Sequence, residues 1–287
     1  MRASRAALLV VVAALAFSTS SPLARLAVGI SPVAVAAGRT LIAAVAIFAV
    51  TPRASARAIL ALSAKQRLAL AGAGALLAAH FALFLLGLAW TSLPAAVALV
   101  SLEPLSVVLA AWVAFGIRPT RHEGVGVVVA TCGALVVASS AGHGEHTLVG
   151  DGTVLGAVIL FGAYVASARG LRGAMPALPY AASVYAVCTL VLAPVALPLA
   201  LGAQPPHATW AAIVALGLVP TLIGHTLVQT AARSVPPAVV AMSSPGETVG
   251  SLLIGALAMG AIPTAREGCG ALLVIAGATL AIIGKRR

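Results

Sequence analysis

The stretch Pro119-Thr120-Arg121-His122-Glu123-Gly124-Val125-Gly126 returns 144 positions later as Pro263-Thr264-Ala265-Arg266-Glu267-Gly268-Cys269-Gly270. The same shift lays Gly133-Ala134 over Gly277-Ala278 and, in the apolar run before, Glu103 over Glu247. Seven of the sixteen positions in Pro119–Ala134 are identical, in a pattern of glycine and polar residues that apolar composition alone does not generate. A repeat of this length fixes the fold before any single residue is weighed.

The unit that repeats is a membrane unit. The 287 residues are 61% hydrophobic and only 8% charged, with a mean hydropathy of +1.12. A soluble domain gives roughly a quarter of its residues to charged side chains, because its surface must be wetted. Long charge-free apolar runs point to bilayer-spanning helices, and the alternating ten-residue segments of a β-barrel are missing. The net charge of +11 does not indicate nucleic acid, since the basic residues sit in short clusters between apolar runs. Cys132, Cys188 and Cys269 lie in apolar runs without CxxC spacing and are read as small buried hydrophobes.

Ten spans can be marked: Ala6–Val28, Pro32–Val50, Leu68–Ala89, Pro94–Gly116, Gly124–Ser140, Thr153–Ala168, Pro179–Ala200, Thr209–Thr230, Pro237–Met259 and Gly268–Gly284. The first is taken as a helix of the mature bundle and not as a signal peptide, because Phe17 and Arg25 have repeat counterparts in Phe161 and Arg169. With the N-terminus inside, fourteen of the seventeen Lys and Arg fall on the cytoplasmic side. Arg25 and Arg266 fall outside, and Arg39 lies within a span. Both termini are therefore expected in the cytoplasm, with the chain a multi-pass protein of the inner or plasma membrane.

Pro32 over Pro176 extends the pairing, and a shift of 142 sets Ala89, Ser92 and Pro94 over Ala231, Ser234 and Pro236. The halves, residues 1–145 and 146–287, each hold five spans. An odd number makes the second copy enter the membrane from the opposite side. The fold class expected is an all-α integral membrane protein of ten transmembrane helices in two inverted repeats, with a site near mid-bilayer between them.

In its Leu102-Glu103-Pro104 core, its Gly124-x-Gly126…Gly133 fifth span and their second-half copies, the chain resembles the EamA-type transporters of the drug/metabolite transporter superfamily. Arg39, early in the second span, fits the same resemblance, which covers essentially the whole length. It implies ten helices and export of amino acids or other small metabolites. It also implies that the first and sixth spans flank the central cavity. One departure is visible: the ninth span reads Ser243-Ser244-Pro245-Gly246-Glu247, where such proteins often have Glu and Pro adjacent.

A carboxyl group at mid-bilayer is the most informative feature. Glu103 and Glu247 each lie close to the centre of a span, where a charge costs about 2.5–3.5 kcal/mol on insertion scales. A carboxyl escapes that cost by facing a wet cavity, by pairing with a cation or by keeping its proton, and a role in proton coupling is chemically available. The competing reading is a protonated Glu that locks helices together. His80 and His225 are the next candidates, since through the 142 shift His225 meets Leu83, three residues from His80 on nearly the same face. Each has an alternative as a neutral ring bonded to a backbone carbonyl. Phe17, Ser18 and Ser20, with Tyr164 in the sixth span, form a semi-polar face at matching depth. The expected substrate-binding or coupling residues are thus Glu103, Glu247, His80, His225, Phe17, Ser20 and Tyr164.

The remaining polar positions have structural explanations. Arg39 either reaches the interface along its stem or neutralises a buried carboxylate. Glu123 and Glu267 cap helix starts, and Trp90 and Trp210 anchor at outer ends. The paired glycines let the fifth and tenth spans pack closely, against each other or at a homodimer face.

No P-loop, HExxH or GxSxG occurs, and Gly124-x-Gly126 lacks the strand and third glycine of a dinucleotide fingerprint. No cofactor, catalytic residue, metal or nucleic-acid partner is expected, and energy must come from a gradient. The leading function is a secondary exporter of small polar solutes working by alternating access, with proton coupling or uncoupled facilitation both open. An intramembrane enzyme is the alternative, and its aspartyl form is excluded because Asp151 is the sole Asp. A non-transporting sensor or scaffold is the third.

Overall fold

The computed structural model describes residues 3–91, 93–139, 147–259 and 264–283. Expectations resting on Arg2, Ser92, most of the loop 141–151, Pro263 and the basic end Lys285-Arg286-Arg287 lie outside the described residues.

Among the described residues every regular element is helical. In chain order these are α1 (Ala3–Phe17), α2 (Ser20–Leu26), α3 (Pro32–Val50), α4 (Pro52–Leu60), α5 (Ala64–Trp90), α6 (Leu93–Val100), α7 (Glu103–Phe115) and α8 (Arg121–Ala138). The second half supplies α9 (Leu148–Ser167), α10 (Ala177–Ala200), α11 (His207–Leu216), a π-helical stretch (Gly217–His225), α12 (Thr226–Ala232), α13 (Pro237–Ala241), α14 (Ser243–Met259) and α15 (Ala265–Ile283). Among the described residues, eight helical stretches are long and apolar enough to cross a bilayer. The other two expected spans coincide with α8 and with α13 and α14 together. Beyond the spans stands α4, a short helix carrying Arg53 and Arg57 between the second and third.

The helix starts are chemically specified. Ser63 and Gln66 form a capping box on α5, and Thr120 with Glu123 does the same on α8. Glu123 Oε2 accepts the Thr120 amide at 2.7 Å, and Glu267 Oε2 accepts the Thr264 amide at 2.7 Å, so both glutamates cap.

Three spans break, each just ahead of a proline. Pro104 has no amide to give the carbonyl of Val100, and α6 ends at Val100. Pro245 withholds a donor from Ala241 in the same way, and α13 ends at Ala241. Pro22 does so for Ser18, one residue past the end of α1. Hydroxyls occupy these breaks: Ser18 Oγ donates to the Ala14 carbonyl at 2.8 Å, Thr19 Oγ1 to Ala16 at 2.8 Å, and Ser243 Oγ to Val240 at 3.0 Å. Irregular backbone at membrane depth persists only where such partners or a cavity receive it.

The outer surface is apolar as well as the core. Leu and Val populate the outer surface, as at Val50, Val113 and Leu190, while Arg39, His80, Glu103 and Gln229 are buried. Cys188 is buried, but Cys132 and Cys269 are exposed on the outward faces of α8 and α15. The burial expected for those two is corrected: their helices use the glycine face for packing and leave the cysteines outside.

That glycine face joins α8 to α15. A Cβ placed on Gly126 would stand 2.6 Å from the Gly277 carbonyl oxygen, and one on Gly133 would stand 2.7 Å from that of Gly270. The two spans therefore pack on each other with backbone against backbone. Gly124 and Gly268 take no part, having nothing within 4 Å of such a Cβ.

Elsewhere the halves interlock, and each packing is answered by its repeat counterpart. α5 lies on α9 as α1 lies on the π-helical stretch; α7 lies on α9 as α1 lies on α14; α3 pairs with α10.

Candidate functional site

The helix breaks and the π-helical stretch converge on one narrow cavity of about 30 Å³, lined by Phe17, Ser20, Arg39, His80, Phe81, Phe84, Val100, Glu103, Phe161, His225 and Glu247. Six of the seven residues expected from the sequence stand on its wall. The seventh, Tyr164, is fully buried behind it, with its ring 5.8 Å from that of His225 and 6.4 Å from that of Phe161.

Glu103 opens α7, the residue before Pro104, and is 5% exposed. Its Oε2 accepts the hydroxyl of Ser244. Ser244 precedes Pro245 as Glu103 precedes Pro104, so measured from the helix breaks these two residues are equivalent. The departure noted in the ninth span is therefore compensated: a hydroxyl stands at the carboxyl position and bonds to the carboxyl of Glu103. Glu247, which the 144 shift lays over Glu103, sits a turn deeper into α14 and is half-buried. Its backbone carbonyl accepts Ser18 Oγ at 2.9 Å, which ties α14 to the break after α1.

His80 and His225 come together with ring centroids 6.2 Å apart. His80 Nδ1 donates to the Ala157 carbonyl at 2.9 Å, which fixes the tautomer and leaves Nε2 as an acceptor. His225 closes the π-helical stretch and is enclosed edge-on by Phe17 at 4.8 Å and Phe81 at 4.9 Å. Its Nδ1 has no hydrogen-bond partner.

The π-helical stretch follows from Pro220, which withholds an amide from the Leu216 carbonyl. Thr221 Oγ1 donates to that carbonyl at 2.7 Å instead. Tyr185, for which the sequence suggested no role, supports the turn by donating to the Thr221 carbonyl at 3.1 Å. Thr221 Oγ1 in turn accepts Arg39 Nε at 2.8 Å.

Arg39 is the residue sequence reasoning placed outside the site. It is 0% exposed, so it does not reach the interface, and its guanidinium carbon lies 4.2 Å above the Phe81 ring. A single Arg within an apolar span was the available signal; the packing of α3 on the π-helical stretch gives it its place. Ser244, Phe81 and Phe84 were also missed, the phenyl rings because nothing distinguishes them from packing residues in an apolar run.

Two larger clefts lie toward the ends of the bundle. One, about 330 Å³, is lined by Arg25, Gly29, Leu85 and Leu88 among others; the other, about 320 Å³, by Arg118, Glu123, Arg169, Val235 and Ala238 among others. Arg25 and Arg169 are repeat counterparts. Arg25 Nη2 donates to the Thr91 carbonyl at 3.1 Å, and Arg169 Nη2 donates to the Val235 carbonyl. Each arginine bolts the end of its repeat's first span to the link after the third.

Among the described residues no three His, Cys, Asp or Glu side chains gather to hold a metal ion. What the site offers is two carboxyls, one guanidinium and two imidazoles within aromatic walls. That suits reversible binding of a small polar solute.

A family model described as "EamA-like transporter family" matches residues 4–139 and again 148–283. A solved structure described as "Crystal structure of protein" superposes with a TM-score of 0.82 at 20% identity, over 100% of both chains, a likeness of fold. No curated protein matches the chain.

Proposed function

The chain belongs to the EamA-like transporter family, a family of membrane transporters, and from that premise we propose that it exports small polar metabolites such as amino acids by alternating access. The observation carrying this reading is the central cavity, whose wall joins Glu103 and Glu247 of the broken fourth and ninth spans with Arg39, His80 and His225. Half-helix ends at the membrane midplane are where secondary transporters hold their solutes.

Ten spans in two oppositely threaded halves, residues 1–145 and 146–287, complete the proposal. The paired packing of the helices and the two successive family matches support it. Both termini lie in the cytoplasm of this threading, with the basic residues gathered on that side of the cell membrane. The driving force is the proton gradient, taken up through Glu103 and Glu247, the cavity's two carboxyls.

The test is efflux of labelled amino acids from proteoliposomes of the purified full chain, with and without an imposed proton gradient. Gradient-stimulated efflux is expected. Efflux equal to that of empty liposomes across all amino acids sinks the substrate class, and efflux indifferent to the gradient sinks the coupling.

A further inference from the structure

Arg39 carries more donors than the protein uses. Nε donates to Thr221 Oγ1 at 2.8 Å, while Nη1 and Nη2 are buried without any hydrogen-bond partner. Neither carboxyl in the cavity reaches them at hydrogen-bond distance; Glu103 instead accepts from Ser244. A buried guanidinium short of partners is costly, and it persists where something else supplies the acceptor.

The geometry restricts what that acceptor is. Phe81 covers one face of the guanidinium at 4.2 Å and Thr221 fixes its Nε corner, so the Nη1–Nη2 edge is held in the cavity wall. Two parallel donors in one plane match the two oxygens of a carboxylate. A lysine's ammonium, a single point of charge, does not offer that fork.

We propose that the Nη1–Nη2 edge of Arg39 is the carboxylate seat of the cavity, and that it selects substrates carrying a free carboxylate. The inference rests on the transport reading above and adds the residue that recognises the acid end. The solute's amine then faces the carboxyls of Glu103 and Glu247. Its side chain meets the rings of Phe17, Phe84 and Phe161, which favours apolar α-amino acids.

The experiment compares L-leucine and L-phenylalanine with leucinamide and phenylalaninamide, which keep amine and side chain but lack the acid. Uptake by proteoliposomes of the full chain is measured for wild type, Arg39→Lys, Arg39→Gln and Thr221→Val. In the wild type the free acids are taken up and the amides are rejected by about ten-thousandfold or more, the range seen when a buried polar site loses its matching group. Arg39→Lys and Arg39→Gln remove that preference, and Thr221→Val weakens it by loosening the fork.

If an Arg39 variant fails to fold, the wild-type acid-to-amide ratio and Thr221→Val still decide. Equal uptake of acids and amides by the wild type overturns the seat while leaving transport intact. An acid preference unchanged in folded Arg39→Gln also overturns it. Uptake of neither compound at any concentration removes the substrate class, and the seat with it.

Discussion

Phe17 and Phe161, equivalent positions of the two repeats 144 residues apart, meet each other edge to face with ring centroids 6.5 Å apart and planes at 75°. The repeat relation thus passes between these rings, at the wall of the central cavity. Both also touch His225, at 4.8 Å and 6.0 Å. Truncating either ring to alanine should cost about 3–5 kcal/mol. Because the rings touch, the double variant should lose less than the two losses added, by about 0.5–1.5 kcal/mol. Unfolding in detergent of the four members of that cycle is the check, and strict additivity would mean that the rings do not meet.

The glycine seam between α8 and α15 gives a sharper contrast. A methyl on Gly277 would stand 2.4 Å from the Ala130 amide nitrogen, a backbone atom that cannot yield. Gly277→Ala should therefore part the helices and cost about 1–3 kcal/mol. Gly124→Ala and Gly268→Ala meet open space and replace glycine within helices. These two should be neutral or stabilising, by up to about 1 kcal/mol. Thermal unfolding of the three variants should order them this way, and equal losses would contradict the seam.

Much of this arrangement could be read before any coordinates. Polar punctuation in an apolar chain survives as a repeat, and a carboxyl at mid-span is too costly to be incidental. The helix breaks were harder. Pro104, Pro245 and Pro22 read as residues in apolar runs, and only the ends of α6, α13 and α1 show that each interrupts its span. Of the two readings of Arg39, burial overturns only reach to the interface, and its place was hard to read for a related reason: its partner Thr221 is 182 residues away, on a turn that Pro220 creates. Neither the alignment by 144 nor that by 142 finds the match of Ser244 with Glu103, because the register at the break is 141. Small slips of register within a membrane repeat leave hydropathy unchanged and are invisible to it.

The Glu103–Ser244 bond separates two roles for the carboxyls. Glu103→Gln and Glu247→Gln should each lower transport about tenfold, ~1.4 kcal/mol of lost interaction, while insertion and yield stay normal. Ser244→Ala removes only the donor to Glu103 and should have the smaller effect on rate. Efflux measured across external pH should respond to the proton gradient in Ser244→Ala and lose that response in the two glutamine variants. Unaltered rate and pH dependence in both glutamine variants would leave the carboxyls as helix locks.

Arg25 and Arg169 make the proposed alternating access testable at both ends. Each bonds a backbone carbonyl, Thr91 and Val235, across the mouth of its own cleft. Thr91 also donates to Asp151 at 2.6 Å, so the Arg25 end is tied to the second half as well. Losing a charge-assisted bond of about 1.5–3 kcal/mol should raise the population open at that end by about tenfold or more. In a background without Cys132, Cys188 and Cys269, Ala238→Cys reports the Arg169 cleft and Ala27→Cys the Arg25 cleft. Arg169→Ala should speed maleimide labelling of Ala238→Cys and slow that of Ala27→Cys, and Arg25→Ala should do the reverse. A rise at both cysteines in one variant would mean a loosened bundle and not an exchange between two states, because only opposed faces that open in turn give changes of opposite sign.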